Sequence, residues 1–390
     1  MRGSIIKRGQ TYAYVLYLGR DANGKKRQKW AGGFRTKKDA EVALAKKLDE
    51  VHTGTFADPG ALTVGEYLEQ WLVGITPSLR EKTAFSYRDT ICGYVVPRLG
   101  HLRLADLTAP SIAALYAELL ASGSRRGTGG LSARTVAYTH RILKHALSDA
   151  VLSGLLARNP AAFVRPPRVD KAETDTWSAD EVARFLKSRE GDRLYALWAL
   201  LATTGMRRGE ALGLYWSDVD LDEGKVAIRR GLVIAGAKTI ESPTKTRAGA
   251  RTIMLHPRTR DALRAHRIAQ VAERLAAGPA WEDGEHVFTT ETGHYLFPDR
   301  VTKVFSQHAQ AAGLPPIRLH DLRHTVATLA LTAGVHTKVV QELLGHANVG
   351  VTLDTYSHVT PGLHERAALT IGALVFGDGD HRDTSETSSR

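Results

Sequence analysis

His320-Asp321-Leu322-Arg323-His324, then Leu344-Gly345-His346-Ala347-Asn348, then Asp354-Thr355-Tyr356-Ser357-His358, decide how the C-terminal half of this 390-residue chain is read. His320 and Arg323 are spaced i, i+3, which sets two phosphate-philic side chains on one helix face. Gly345 ends a helix and presents a histidine. Tyr356 stands among polar neighbours. Singly, each reads as an ordinary surface or core-edge group, and His-x-x-Arg arises by chance in many proteins. The order along the chain carries the information, and it continues upstream. Thr204-Gly205-Met206-Arg207-Arg208-Gly209-Glu210 follows an apolar helix at 194–203, so a turn sets Arg207 at the margin of a core. Pro243-Thr244-Lys245-Thr246-Arg247 with Ala248-Gly249-Ala250-Arg251 predicts a flexible β-hairpin tip that carries a lysine.

Around this block, capping-box spacing at Ser178-x-x-Glu181 predicts a helix start. Residues 225–233 and 251–255 are β-prone, and helices are predicted near 258–275, 298–312, 320–333 and 337–344. Residues 172–376 thus read as a mostly helical, mixed α/β domain with a small antiparallel sheet. The adjacent prolines of Arg165-Pro166-Pro167-Arg168 mark an extended linker before it. Upstream, Thr63 with Glu66 is a second capping box, and Val64, Tyr67, Leu68, Trp71 and Leu72 recur at helical spacing. Further helices at 81–94, 110–121 and 132–152, a Gly/Ser/Arg-rich loop at 122–130 and a stop at Asn159-Pro160 make residues 62–165 an all-helical domain.

Residues 10–35 alternate aromatics and aliphatics (Tyr12, Tyr14, Leu16, Leu18), turn at Asn23-Gly24 and resume at Lys29-Trp30, which predicts a β-hairpin. A helix then starts at an N-cap Thr36, with Val42, Leu44, Ala45, Leu48 and Val51 as its apolar stripe, ending near Gly54. Residues 1–56 form a small β-sheet-plus-helix module. Residues 377–390, nearly without apolar side chains, read as a disordered tail. The fold class expected is a multidomain α+β protein.

Lys and Arg number 53 against 41 Asp and Glu, a net charge of +12. Residues 1–56 hold thirteen Lys/Arg against five acids, so two thirds of the surplus lies in one seventh of the chain. This balance favours a polyanionic partner, nucleic acid or an anionic membrane surface, with a merely basic soluble protein as the alternative. The single cysteine, Cys92, excludes an intrachain disulfide and a cysteine-based zinc cluster and is read as core filler. No apolar leader or membrane-length run appears, which predicts a cytoplasmic protein. Neither Gly-x-Gly-x-x-Gly nor Gly-x-x-x-x-Gly-Lys-Ser/Thr occurs, so nucleotide use is not indicated.

The ordered set Thr-Gly-Met-Arg…Glu, Lys-Thr, His-x-x-Arg, Leu-Gly-His and Tyr resembles the tyrosine recombinase (phage integrase) family. The resemblance extends upstream, since a helical core-type DNA-binding domain and a basic N-terminal module look like those of integrases that bind arm-type sites. It implies that Arg207 and Arg323 clamp the non-bridging oxygens of a scissile phosphate and that Tyr356 is the nucleophile, giving a 3′-phosphotyrosyl enzyme. His320 is then an acid/base group, His346 a phosphate hydrogen-bond donor, Lys245 the general acid for the departing 5′ oxygen, and Glu210 a support for Arg207. Lys238 precedes Lys245 and competes with it for that role.

The resemblance also implies double-stranded DNA as partner, at core-type and arm-type sites, and a homotetramer assembled on DNA through a Holliday junction, with DNA-bending or directionality proteins as accessories. No cofactor and no metal enter, and integration or excision of a mobile element is the expected outcome. Arg20, Lys25, Lys26, Arg27, Lys29 and Trp30 are the candidate groove contacts of the N-terminal module. Rival readings are a chromosome-dimer-resolving recombinase, a type IB topoisomerase, a DNA-binding protein without catalysis, and a zinc hydrolase built on His320 and His324. The last lacks the glutamate that must follow the first histidine, where Asp321 stands.

Overall fold

The computed structural model describes residues 3–20, 26–52, 62–125, 127–170, 175–236, 238–243, 249–282, 284–345, 348, 350, 368–369, 371–373 and 375, with the side chains at 18–20, 26–27, 29 and 49–52 excepted. The chain divides into two compact units, Met1–Asp170 and Lys171–Arg390.

The first unit opens with strands β1 (Gly3–Arg8), β2 (Thr11–Arg20) and β3 (Lys26–Phe34), an antiparallel sheet in that order, followed by helix α1 (Lys37–His52). Ala13, Tyr14, Val15 and Leu16 of the central strand are all buried, and Tyr14 and Leu16 form one cluster with Leu44 of α1. Residues 10–35 predicted only β2 and β3. Strand β1 was not legible because its six residues hold just two adjacent isoleucines and no alternation; pairing with the free edge of β2 specifies it. Thr36 does cap α1, its Oγ1 accepting from the Asp39 amide at 3.1 Å. The helix buries Ala40 and Leu44, whereas Val42, placed in the expected stripe, is 64% exposed. The face is set by the i, i+4 row of Ala40, Leu44 and Leu48 against the sheet.

The helices α2 (Val64–Ile75), α3 (Glu81–Thr90), α4 (Val96–Leu99), α5 (Ala109–Ser122) and α6 (Ala133–Leu152) surround a second core in this unit. The Thr63–Glu66 capping box forms in both directions, and Val64, Tyr67, Leu68, Trp71 and Leu72 are buried. Tyr67 Oη donates to the Ala146 carbonyl at 2.5 Å and Trp71 Nε1 to Asp149 Oδ2 at 2.7 Å, which fixes α2 on α6. The single helix expected over 81–94 is interrupted by a π-turn at Ile91–Val95. Pro97 has no N–H for the Gly93 carbonyl, and the wider turn takes up the register. Cys92 lies on this turn and is exposed, not core filler.

The second unit contains α7 (Ala179–Lys187), α8 (Tyr195–Thr204), α9 (Arg208–Leu212), strands β4 (Val219–Asp220), β5 (Lys225–Ile228), β6 (Arg230–Ala235), β7 (Lys238–Pro243) and β8 (Arg251–Met254), then α10 (Pro257–Ala277), α11 (Pro298–Ala311), α12 (Asp321–Thr332) and α13 (Thr337–Leu344). The Ser178–Glu181 capping box starts α7. Helix α8 is apolar all round and buried through Ala196–Ala202, as a central core helix must be. Its Trp198 packs with Trp177, Phe185 and Phe305 in an aromatic cluster with ring centroids 5.3 to 6.2 Å apart. Each fully buried aromatic contributes about 1.5–3 kcal/mol of transfer free energy.

Two small antiparallel sheets replace the one expected: β4-β5-β8 and β6-β7. The β-prone stretch 225–233 breaks at Arg229, because β5 pairs with β8 while β6 pairs with β7. Consequently β7 and β8, which flank Lys245, are not partners of one hairpin. The hairpin is β6–β7, and Lys238 sits at its turn opposite Ala235. No described helix is long and apolar enough to cross a membrane.

Candidate active site

Arg207 occupies the turn between α8 and α9. Gly205 closes α8 in the left-handed conformation, φ +62°, and a Cβ there would meet Leu344 Cδ2 at 2.8 Å and Val326 Cγ1 at 3.3 Å. Only glycine lets the end of α8 approach α12 and α13 this closely. The Arg207 amide donates to Glu210 Oε2 at 2.9 Å and its Nη1 to Glu210 Oε1 at 2.6 Å, so Glu210 begins α9 and orients the arginine together. Arg207 keeps 42% of its side chain exposed, whereas Glu210 is buried.

A second arginine holds Glu210 from the other side. Arg251, at the start of β8, donates from Nη2 to Oε2 at 2.9 Å and from Nη1 to Oε1 at 3.3 Å. Burial pushes the Glu210 carboxyl upward, but Arg251 and then Arg207 outweigh it and hold the group below the ordinary carboxylate range. Arg251 also donates from Nε to the Leu343 carbonyl at 2.7 Å and from Nη1 to the Gly249 carbonyl at 3.1 Å.

Arg323, three residues into α12, is 4% exposed. Its Nη1 donates to the Gly205 carbonyl at 2.9 Å and its Nη2 to the Leu344 carbonyl at 2.6 Å, joining the ends of α8 and α13. These are helix-terminal carbonyls, short of intrahelical partners, and a cation suits that end of the dipole. Each η nitrogen carries a second N–H. His320 is the residue preceding α12, with its ring 5.6 Å from that of His324, edge to face. Crowding by neighbouring atoms, then His324, Arg323 and Arg207, with Asp321 opposing, hold its pKa below the ordinary histidine value. Asp321 is buried and accepts a fork from Arg318, Nε to Oδ2 at 2.8 Å and Nη2 to Oδ1 at 2.7 Å, which anchors the start of α12.

The described residues thus bring Arg207, Glu210, His320 and Arg323 together from segments more than a hundred residues apart. Lys245, His346 and Tyr356 lie outside the described residues. Sequence spacing missed Arg251, because its partner Glu210 is 41 positions away. It also missed Arg318 as the anchor of Asp321. Of the N-terminal candidates, Arg20 is on β2, and Lys26, Arg27, Lys29 and Trp30 are on β3, while Lys25 lies outside the described residues. Trp30 is 47% exposed, with the Arg8 guanidinium 5.1 Å from its ring.

Three family models match the chain. The phage integrase family matches residues 177–362, the arm DNA-binding domain residues 4–51, and the phage integrase N-terminal SAM-like domain residues 63–120. A protein described as tyrosine recombinase XerC-like from Caldanaerobacter subterraneus is 30% identical over 391 residues, spanning 95% of this chain and 98% of that one. An integrase of Saccharopolyspora erythraea is 25% identical over 93% of this chain and 97% of its own. Among solved structures, the Tn1549 transposon integrase in complex with a circular intermediate DNA aligns with a TM-score of 0.64 at 20% identity, over 79% of this chain and all of that one. A λ integrase tetramer bound to a Holliday junction aligns with a TM-score of 0.52 at 21% identity, over 88% of this chain and 95% of that one.

Proposed function

Because the chain belongs to the phage integrase family of tyrosine recombinases, enzymes that break and rejoin DNA strands, we propose that it joins and releases a mobile element by attack of Tyr356 on a scissile phosphate. The attack leaves a 3′-phosphotyrosyl enzyme and a free 5′-hydroxyl, and the reverse attack by a 5′-hydroxyl of the partner duplex restores the phosphodiester. One P–O bond forms for each one broken, so no ATP is consumed.

The observation that carries this reading is the convergence of Arg207, Arg323 and His320. Charge builds on the non-bridging oxygens as the phosphorane forms, and fixed guanidinium donors stabilise it without reorganising. A phenol with a reference pKa of about 10 is protonated near neutrality, so Tyr356 gives its proton to His320 during attack. Lys245 protonates the departing 5′ oxygen, His346 donates to the phosphate, and Glu210 keeps Arg207 in place.

Two exchanges on two duplexes require four active sites, hence a homotetramer on DNA passing through a Holliday junction. Residues 62–165 hold the core-type site, residues 1–56 bind a separate arm-type sequence, and residues 172–376 carry out the chemistry. The protein acts in the cytoplasm, with DNA-bending or directionality proteins setting the favoured direction.

The test is a core site nicked beside the cleavage position, so that the short 5′-hydroxyl strand diffuses away. A covalent adduct accumulates, survives excess EDTA, and still forms with residues 1–56 deleted, while arm-site retardation disappears. Absence of any adduct, or its loss on chelation, would sink the proposal.

His320 must be neutral to accept the phenolic proton. Its folded pKa lies below the ordinary 6.5 because of crowding and of His324, Arg323 and Arg207. The acidic limb of cleavage at subsaturating DNA is therefore centred below pH 6.5, where His320 gains its proton. An acidic limb centred above pH 6.5 in single-turnover assays contradicts this assignment.

A further inference from the structure

We propose that Arg251 is a positioning residue of the cleavage site, which neutralises Glu210 so that Glu210 orients Arg207 without cancelling its charge at the scissile phosphate. The inference rests on the reading of Arg207 as a phosphate clamp. A carboxylate 2.6 Å from Arg207 poses an electrostatic difficulty, since an arginine–glutamate pair has no net charge with which to attract a phosphate. The second guanidinium resolves it. Arg207, Glu210 and Arg251 together carry one positive charge, and the geometry divides the labour between the arginines.

Arg251 is nearly sealed from solvent, with 8% of its side chain exposed. It spends its fork on both carboxylate oxygens, and its Nε and Nη1 are tied to the Leu343 and Gly249 carbonyls. Arg207 touches Glu210 through one η nitrogen and remains open to solvent. The fixed, buried arginine serves the carboxylate, and the accessible one is left for the substrate.

Stability alone does not account for such a set, because buried ion pairs are often replaceable by apolar groups without loss. The same guanidinium supports the site in a second way. Arg251 holds the Leu343 carbonyl and Arg323 holds the Leu344 carbonyl, so two arginines fix consecutive carbonyls of the last turn of α13. That turn leads directly into Gly345-His346.

The experiment compares the full-length wild type and Arg251→Met on two nicked core sites, one with an ordinary scissile phosphate and one with a methylphosphonate, which carries no charge. Core-site binding and thermal melting are measured on each protein. On the phosphate, Arg251→Met forms adduct about 100-fold more slowly, the size of loss seen when one oxyanion donor is removed. On the methylphosphonate the deficit shrinks to within about fivefold, because no charge needs offsetting. A folding defect slows both substrates alike, so equal deficits overturn the proposal.

If the wild type does not cut the neutral phosphate, Glu210→Gln added to Arg251→Met decides. Removing both opposed charges restores cleavage about tenfold above Arg251→Met, and a double variant no faster than the single one overturns the proposal. Arg251→Lys keeps the charge and loses the fork, and it stays within about tenfold of wild type. A lysine variant as slow as the methionine one also overturns it. A wild type that forms no adduct on the ordinary phosphate refutes the phosphotyrosine reading instead, so the two failures are distinguishable.

Discussion

Tyr356→Phe abolishes the covalent adduct, to below about one part in ten thousand of wild type, while core-site affinity stays within about twofold. The substitution removes one oxygen and keeps the ring, so it deletes the proposed nucleophile with little change in side-chain shape. No neighbouring group compensates, because a serine or threonine hydroxyl is a far weaker acid than a phenol and water attack leaves no protein–DNA bond. Single-turnover assays on the nicked site, read by denaturing electrophoresis, give the result directly. Persistence of the adduct in the phenylalanine variant places the nucleophile elsewhere among the twelve tyrosines of the chain.

Arg323→Ala produces the second large effect, and it appears in stability as well as in chemistry. The side chain is buried, and its η nitrogens supply the Gly205 and Leu344 carbonyls. Truncation leaves two buried acceptors without these donors, which costs about 2–5 kcal/mol. On the proposed reading it also removes a guanidinium from the phosphate, and cleavage falls at least about a thousandfold.

Arg323→Lys separates the two roles. An ammonium keeps the charge, but it lacks the planar fork that spans the ends of α8 and α13, so cleavage stays low even where the fold survives. Arg207→Ala supplies the contrast. Arg207 is 42% exposed, and its loss leaves Glu210 paired with Arg251, so stability falls by less than about 1 kcal/mol while cleavage drops as deeply. Denaturant unfolding and adduct formation are measured on all three. Wild-type cleavage by Arg323→Lys would remove Arg323 from the phosphate clamp.

Features governed by neighbours along the chain were readable before any fold was known. The Thr63–Glu66 and Ser178–Glu181 capping boxes and the buried stripe of α2 are contacts made within one or two helical turns, and spacing specifies them. The apolar run that becomes α8 was equally plain, since a helix buried on every side needs no particular phase. Strand pairing was less legible. A stretch such as 225–233 is β-prone throughout, and nothing within it tells that Lys225–Ile228 joins β8 while Arg230–Ala235 turns back on β7. The side chain of Cys92 was misjudged because a π-turn changes which residues face the core.

The sequence by itself determined the family, through an order of motifs ending in Tyr356, and the local helices that display them. Only the tertiary structure decided that Arg323 is a buried tie between the Gly205 and Leu344 carbonyls, 118 and 21 positions away, and that Glu210 is shared by two arginines. Motif spacing reports what one turn of backbone brings together. Which carboxylate meets which distant guanidinium depends on how α8, α12, α13 and β8 pack, and that is settled by burial of their apolar faces rather than by any local pattern.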